Sequence, residues 1–138
     1  MQPIDRRAGF SLIELLVTLA VAAILVAMAV ASYDFATVKT RRGAAKGCLA
    51  EAAQAMERHY TANFSYAGAT LPACSTDVAA HYALGFATGE PTASSYRLEA
   101  VPQGRQASSD ATCGTLTIDN TGVKGAGDNA VATIDACW

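Results

Sequence analysis

Between positions 10 and 30 every residue is apolar except Ser11, Glu14 and Thr18, and neither glycine nor proline interrupts the run. At about 1.5 Å per residue, a helix of this length crosses the hydrocarbon core of a bilayer. Beyond it the apolar positions narrow to a stripe. Phe35, Val38, Ala45, Leu49, Ala52, Met56 and Tyr60 recur at the three-to-four spacing of one helix face, while Lys46, Glu51, Glu57 and Arg58 fall largely on other faces. The pattern predicts one helix over residues 11–60, roughly 75 Å long. Its first half is apolar all round and its second half one-sided. Gly43 and Gly47 are soft points, each weakening the helix by about 1 kcal/mol relative to alanine. Their spacing also matches a close helix-packing motif, although outside a bilayer two plain surface glycines are the preferred reading.

After residue 60 the pattern changes. Asn63-Phe64-Ser65-Tyr66-Ala67-Gly68 reads as a turn, and residues 69–80 as a loop. Strands are predicted at 81–86, 95–101, 112–118 and 130–136. The third is the clearest, because Leu116 and Ile118 alternate with Thr115, Thr117 and Asp119. Asp119-Asn120-Thr121-Gly122 and Gly125-Ala126-Gly127-Asp128-Asn129 are turn signals, and Gly89-Glu90-Pro91 and Pro102-Gln103-Gly104 mark the other loops. The fold class is therefore α+β: a long N-terminal helix whose second half packs on a small antiparallel sheet.

Composition adds little to this outline. The 138 residues allow one small domain plus an appendage, and the net charge of -2 gives no overall attraction to nucleic acid. One local basic patch remains, at Lys39, Arg41, Arg42 and Lys46. No phosphate loop, serine elbow or metalloprotease motif is present, so neither an enzyme nor a cofactor is expected. All four cysteines, Cys48, Cys74, Cys113 and Cys137, follow the apolar run. An even count placed there points to two disulfides in an oxidising compartment, with three pairings open. A zinc site with His59 or His81 fits the spacing poorly.

Arg6 and Arg7 precede the apolar run and place its leading end in the cytoplasm, which puts the chain from about Ser32 onward outside it. Three fates follow for such a segment. It could be a secretory signal cut after Ala29-Val30-Ala31, with Arg6-Arg7 hinting at twin-arginine export. It could be an uncleaved anchor. Or the cut could precede the run, after Gly9. Glu14 favours the third. A carboxylate costs roughly 2.5–3.5 kcal/mol at mid-bilayer, less near an end, and neither a signal nor a plain anchor gains from it. A chain that starts at Phe10 carries a cationic amino group one helical turn from Glu14. Between staggered helices, the acid of one can pair with the amine of the next.

Gly9-Phe10-Ser11-Leu12-Ile13-Glu14-Leu15-Leu16, behind a short basic leader, resembles the prepilin signature of type IV pilins and type II secretion pseudopilins. The resemblance implies cleavage between Gly9 and Phe10 by a membrane prepilin peptidase and methylation of Phe10 to N-methylphenylalanine. It gives Glu14 the role of setting subunit register. It also implies a leader at 1–9, a membrane-spanning and filament-core helix at 10–31, and a periplasmic domain at 32–138 that includes the amphipathic helix half, 32–60. Many members have a glycine and a proline where Ala23 and Ala31 stand here, which puts local unwinding of this helix in doubt. The segment 56–68 and the ending Cys137-Trp138 look like those of PilE-type minor pilins. The pairing expected is Cys48–Cys74 with Cys113–Cys137, the second similar to the family's C-terminal disulfide loop. Trp138 is expected to plug the sheet rather than stand exposed.

The function implied is a structural minor pilin that helps to initiate a type IV pilus. Its partners would be other pilin subunits, prepilin peptidase and the inner membrane, where it waits as a single-pass protein before entering the surface fibre. A type II secretion pseudopilin is the alternative, with calcium at Asp119, Asn120, Asp128 and Asn129 as its mark, though turn chemistry explains those residues better. The other alternative is a pilin that binds DNA or a receptor through the patch around Arg41 and Arg42. Contact of that patch with anionic lipid headgroups is preferred.

Overall fold

A computed structural model describes residues 10–127 and 129–138, residue 31 by its helical backbone alone. Gly9, the leader and Asp128 lie outside the described residues. The chain divides into two compact units, one ending at Ala36 and the other spanning Thr37–Trp138.

Helix α1 spans Leu12–Asn63, passing without a break through Ala23 and Ala31. In the first unit its residues are exposed on all sides, from Leu12 through Val30 to Tyr33 and Phe35. The helix contains an 18-residue window of mean hydropathy 2.7, none of it buried, as expected of a segment made for lipid or for other helices. Phe35, read from the sequence as the start of the buried stripe, is 71% exposed and belongs to this unit.

In the second unit the stripe is real. Ala45, Leu49, Ala52 and Met56 are fully buried, with Tyr60 half-buried behind them. They face a four-stranded antiparallel meander of β1 (Tyr82–Phe86), β2 (Arg97–Pro102), β3 (Leu116–Asp119) and β4 (Lys124–Ala126), in that spatial order. Register explains the core. Leu84 lies opposite Ala100, Ala100 opposite Leu116 and Leu116 opposite Ala126, so one face collects the apolar side chains that α1 covers. Gly43 and Gly47 sit on α1 with open space where a Cβ would be, so neither serves a close contact within this chain.

Helix α1 runs one turn past the expected end. Asn63 Nδ2 donates to the His59 carbonyl at 2.9 Å, and the helix closes with Phe64 at φ 52. Glycine usually takes that left-handed position, and a bulky side chain there costs about 1–2 kcal/mol.

Three short helices complete the domain: α2 (Thr76–Ala79), α3 (Gly104–Ser109) and α4 (Val131–Cys137). The last corrects the sequence reading, which made residues 130–136 the fourth strand. The fourth strand is Lys124–Ala126, which overlaps the start of the stretch read as a turn. Its glycines explain why. A Cβ on Gly125 would collide with the Thr117 and Asn129 side chains, and one on Gly127 with the Thr112 carbonyl oxygen. The strand is only three residues long, with Gly125 packed under the Thr117 and Asn129 side chains at its centre, so no hydrophobic alternation marks it. The third strand starts at Leu116 rather than 112, because Cys113 and Gly114 both donate their N–H to the Asp110 carbonyl in a turn. The second starts at Arg97 rather than 95, because Ser95 closes a loop with Thr92.

Candidate functional site

The chemistry of this chain divides between the N-terminal helix and one side of the domain. Phe10 stands just ahead of α1 and is 79% exposed. Glu14 lies in the first helical turn, where the N–H groups of Glu14 and Leu15 both reach the Ser11 carbonyl, at 3.0 and 3.2 Å. A carboxylate is favoured there by the positive end of the helix dipole, by about 0.3–1 kcal/mol. Thr18 directs its hydroxyl to the Leu15 carbonyl at 2.9 Å and needs nothing from outside. Among the described residues no cation pairs with Glu14.

In the domain, the first disulfide, Cys48–Cys74, joins α1 to the loop before α2, and the second, Cys113–Cys137, joins the turn before β3 to the end of α4. Beside the second lies a buried polar network. Arg42 Nη1 donates to Asp110 Oδ1 in an ion pair whose side chains are only 12% and 5% exposed, and also lies 2.7 Å from Cys113 Sγ. Tyr82 Oη and Gln106 Nε2 both donate to Asp110 Oδ2 at 3.1 Å, and Gln106 Nε2 also reaches the Val38 carbonyl at 3.1 Å. Burial, with the Asp110 charge adding to it, pushes the Tyr82 hydroxyl up to about 12 even though the Gln106 hydrogen bond pulls it down. Gln106 Oε1 is buried without a partner in this network.

A second carboxylate fixes the far end of α1. Glu57 accepts from the hydroxyls of Tyr66 at 3.1 Å and Tyr96 at 3.0 Å. Tyr60 stacks on Tyr66 at 4.5 Å, and Tyr66 meets Tyr96 edge-on at 4.9 Å. Burial first, then Glu57, raises both hydroxyls above the ordinary tyrosine value.

The basic patch is rearranged by the fold. Arg42 turns inward to Asp110. Arg41 sits about 140° around the helix from Lys46 and leaves the group. Lys124, distant in sequence, joins it: its ammonium lies 4.9 Å from the Trp138 ring centre. Trp138 is half-buried against the core, its Nε1 donating to the Gly125 carbonyl at 2.8 Å, while Lys46 Nζ donates to its main-chain oxygen at 2.9 Å. Burial, then the charges of Arg42, Lys124 and Lys39, hold the Lys46 ammonium below the ordinary lysine value. One side of the domain therefore carries Lys124 over the indole and Lys46 on the main-chain oxygen of Trp138, with the charge of Lys39 felt at Lys46.

Asp119, one of the residues in the calcium reading, is engaged in its own turn. Asp119 Oδ1 accepts from the N–H groups of Thr121 and Val123 and from the Thr121 hydroxyl. Burial alone would raise this carboxyl, but those hydrogen bonds outweigh it and hold it below the usual range. No group of three metal-binding side chains occurs among the described residues, and all four cysteines are in disulfides.

The family profile described as "Type IV minor pilin ComP, DNA uptake sequence receptor" matches residues 31–117, and the prokaryotic N-terminal methylation motif matches residues 4–30. A type IV pilin structure from Shewanella oneidensis is similar over 73% of this chain and 97% of its own, at 32% identity and a TM-score of 0.53. The non-core minor pilin PilV of Neisseria meningitidis is similar over 68% of this chain and 91% of its own, at 19% identity and a TM-score of 0.51, a likeness of fold. A search of curated proteins gives no match.

Proposed function

Since the chain belongs to the type IV minor pilin family, we propose that it is cut between Gly9 and Phe10 by a prepilin peptidase and methylated on Phe10. It then enters the fibre with Glu14 paired to the amine of a neighbouring subunit. Before assembly it is a single-pass inner-membrane protein, with its leader in the cytoplasm and its domain in the periplasm. Its work is structural rather than catalytic. The observation that carries this reading is Glu14, an exposed acid in the first turn of an otherwise apolar helix. Trimming the leader supplies the cation it lacks, and other pilin helices cover its apolar surface as it leaves the lipid. Mass spectrometry of the chain recovered from membranes is expected to find a first residue of methylated Phe10. An intact leader, or an end near Ala31, overturns the reading. Glu14→Ala is expected to be processed normally yet enter pili at least tenfold less than the parent, because an unpaired amine left in the bundle costs several kcal/mol. Equal recovery from sheared pili would remove Glu14 from assembly.

A second reading has its own observation. The matched family is described as a receptor for a DNA uptake sequence, and Lys124 lies over the Trp138 ring while Lys46 holds the main-chain oxygen of the same residue. Cations that meet phosphates beside an aromatic that meets bases make a surface suited to DNA. The full chain in neutral detergent micelles is expected to retard duplex DNA in a gel, with affinity falling steeply as salt rises, and Lys46→Ala with Lys124→Ala is expected to weaken binding more than tenfold. Retention of DNA by the double variant would exclude this face.

A further inference from the structure

The two disulfides differ in what a reagent can reach. Cys113 and Cys137 are 5% and 1% exposed, and the Arg42 guanidinium lies 2.7 Å from Cys113 Sγ. Cys48 is buried in the α1 stripe, but Cys74 is only half-buried and lines an open groove. Leu71, Pro72, Ala73, Tyr82 and Leu84 form much of the groove's wall, around a volume of about 350 Å³ between the pre-α2 loop and β1. That is the low end of ligand-pocket volumes, roughly 300–1,000 Å³, and suits a small organic thiol.

The segment that carries Cys74 has little else to hold it. On one side Ala69 N–H donates to the Tyr66 carbonyl at 3.1 Å, and on the other the Ser75 hydroxyl caps α2. Among the described residues no hydrogen bond reaches residues 70–74. Apart from Cys74 itself, only Leu71 of this segment packs against the core. The disulfide is therefore its main tie to α1.

We propose that Cys74 is a thiol–disulfide exchange site for small dithiols, and that its bond to Cys48 is a redox latch on residues 70–74. One thiolate of the dithiol enters the groove and attacks Cys74 Sγ. The Cys48–Cys74 bond breaks, and Cys48 leaves as a thiolate that takes up a proton. The second thiol of the reagent then displaces Cys74, which also ends as a thiol, and the dithiol ends as its own disulfide. Two electrons pass to the protein, and the reverse steps close the latch. Exchange rates follow access to the sulfur attacked, so the buried Cys113–Cys137 bond stays shut. Opening the latch frees one wall of the groove from α1 and leaves the sheet in place. It involves neither Phe10 nor Glu14, so it holds even if the processing reading fails.

The test treats the full chain, folded in neutral detergent micelles, with dithiothreitol, quenches with acid and alkylates the thiols after unfolding. Peptide mass spectrometry is expected to find Cys48 and Cys74 alkylated at least about tenfold sooner than Cys113 and Cys137. With the monothiol 2-mercaptoethanol, the trapped adduct is expected on Cys74, with Cys48 as the free thiol. Ala73→Trp fills the groove from an exposed position. It is expected to slow the opening about fivefold and to leave Cys113–Cys137 unchanged. In the chain with Cys48→Ser and Cys74→Ser, thermolysin cleavage before Leu71 is expected to rise about tenfold. Equal rates for the two disulfides, an adduct on Cys48, no effect of Ala73→Trp, or no gain in cleavage each overturns the proposal.

Discussion

Replacing Asp110 by alanine is expected to cost the domain about 3–5 kcal/mol, because it strands a buried charge. Arg42 cannot turn to water, because its side chain is only 12% exposed and sits between α1, the Asp110 turn and the second disulfide. The same change removes the acceptor of Tyr82 and Gln106. Gln106 already has one unpartnered buried oxygen, so it has no reserve. Two controls separate charge from shape. Asp110→Asn keeps the shape but loses the charge, and is expected to lose somewhat less. Arg42→Met with Asp110→Leu removes both charges together and is expected to recover most of the loss, because the attraction within the pair offsets little more than its own desolvation. Urea unfolding of the full chain in micelles, followed by the single tryptophan, Trp138, measures all three. Equal midpoints for parent and Asp110→Ala would show that the network carries no stability.

Serine at both Cys113 and Cys137 is expected to cost about 3–4 kcal/mol on the chain-entropy account, given a separation of 24 residues. The spectroscopic effect discriminates better than the energy. Trp138 follows Cys137 directly, and its contacts with Gly125, Lys46 and Lys124 depend on where α4 ends. Without the bridge, its emission is expected to shift to that of a solvated indole well before the domain unfolds. The companion variant, serine at Cys48 and Cys74, opens a loop of similar size but is expected to leave the emission in place until global unfolding. If both variants shift it alike, α4 is held by more than its disulfide.

Much of this molecule was legible in its sequence, and the rest had reasons not to be. The long helix was, because apolar spacing over about three turns from Ala45 to Met56 leaves one solution. β1 and the Asp119 turn were, through local composition. β4 was not, since Lys124-Gly125-Ala126 is too short to show alternation and its central glycine is dictated by the Thr117 and Asn129 side chains packed against it. α4 was misread because Val131, Thr133 and Ile134 favour a strand by composition. In the fold Val131 is 75% exposed and only Cys137 is buried, so burial does not alternate along the segment as a strand's would. The basic patch was half legible. Residues 39, 41, 42 and 46 are neighbours on one helix, but that Arg42 turns inward depends on a residue 68 positions away. Lys124 arrives by a strand that the sequence did not announce.

Cys48 bridges α1 to the loop before α2, and this has a mechanical meaning. In any fibre built on α1, a pull along the axis reaches the sheet as shear across Ala45, Leu49, Ala52 and Met56, and apolar packing alone would let the helix creep by a turn. A covalent tether at Cys48, set within that stripe, takes the load first and keeps the helix from ratcheting through the domain it carries.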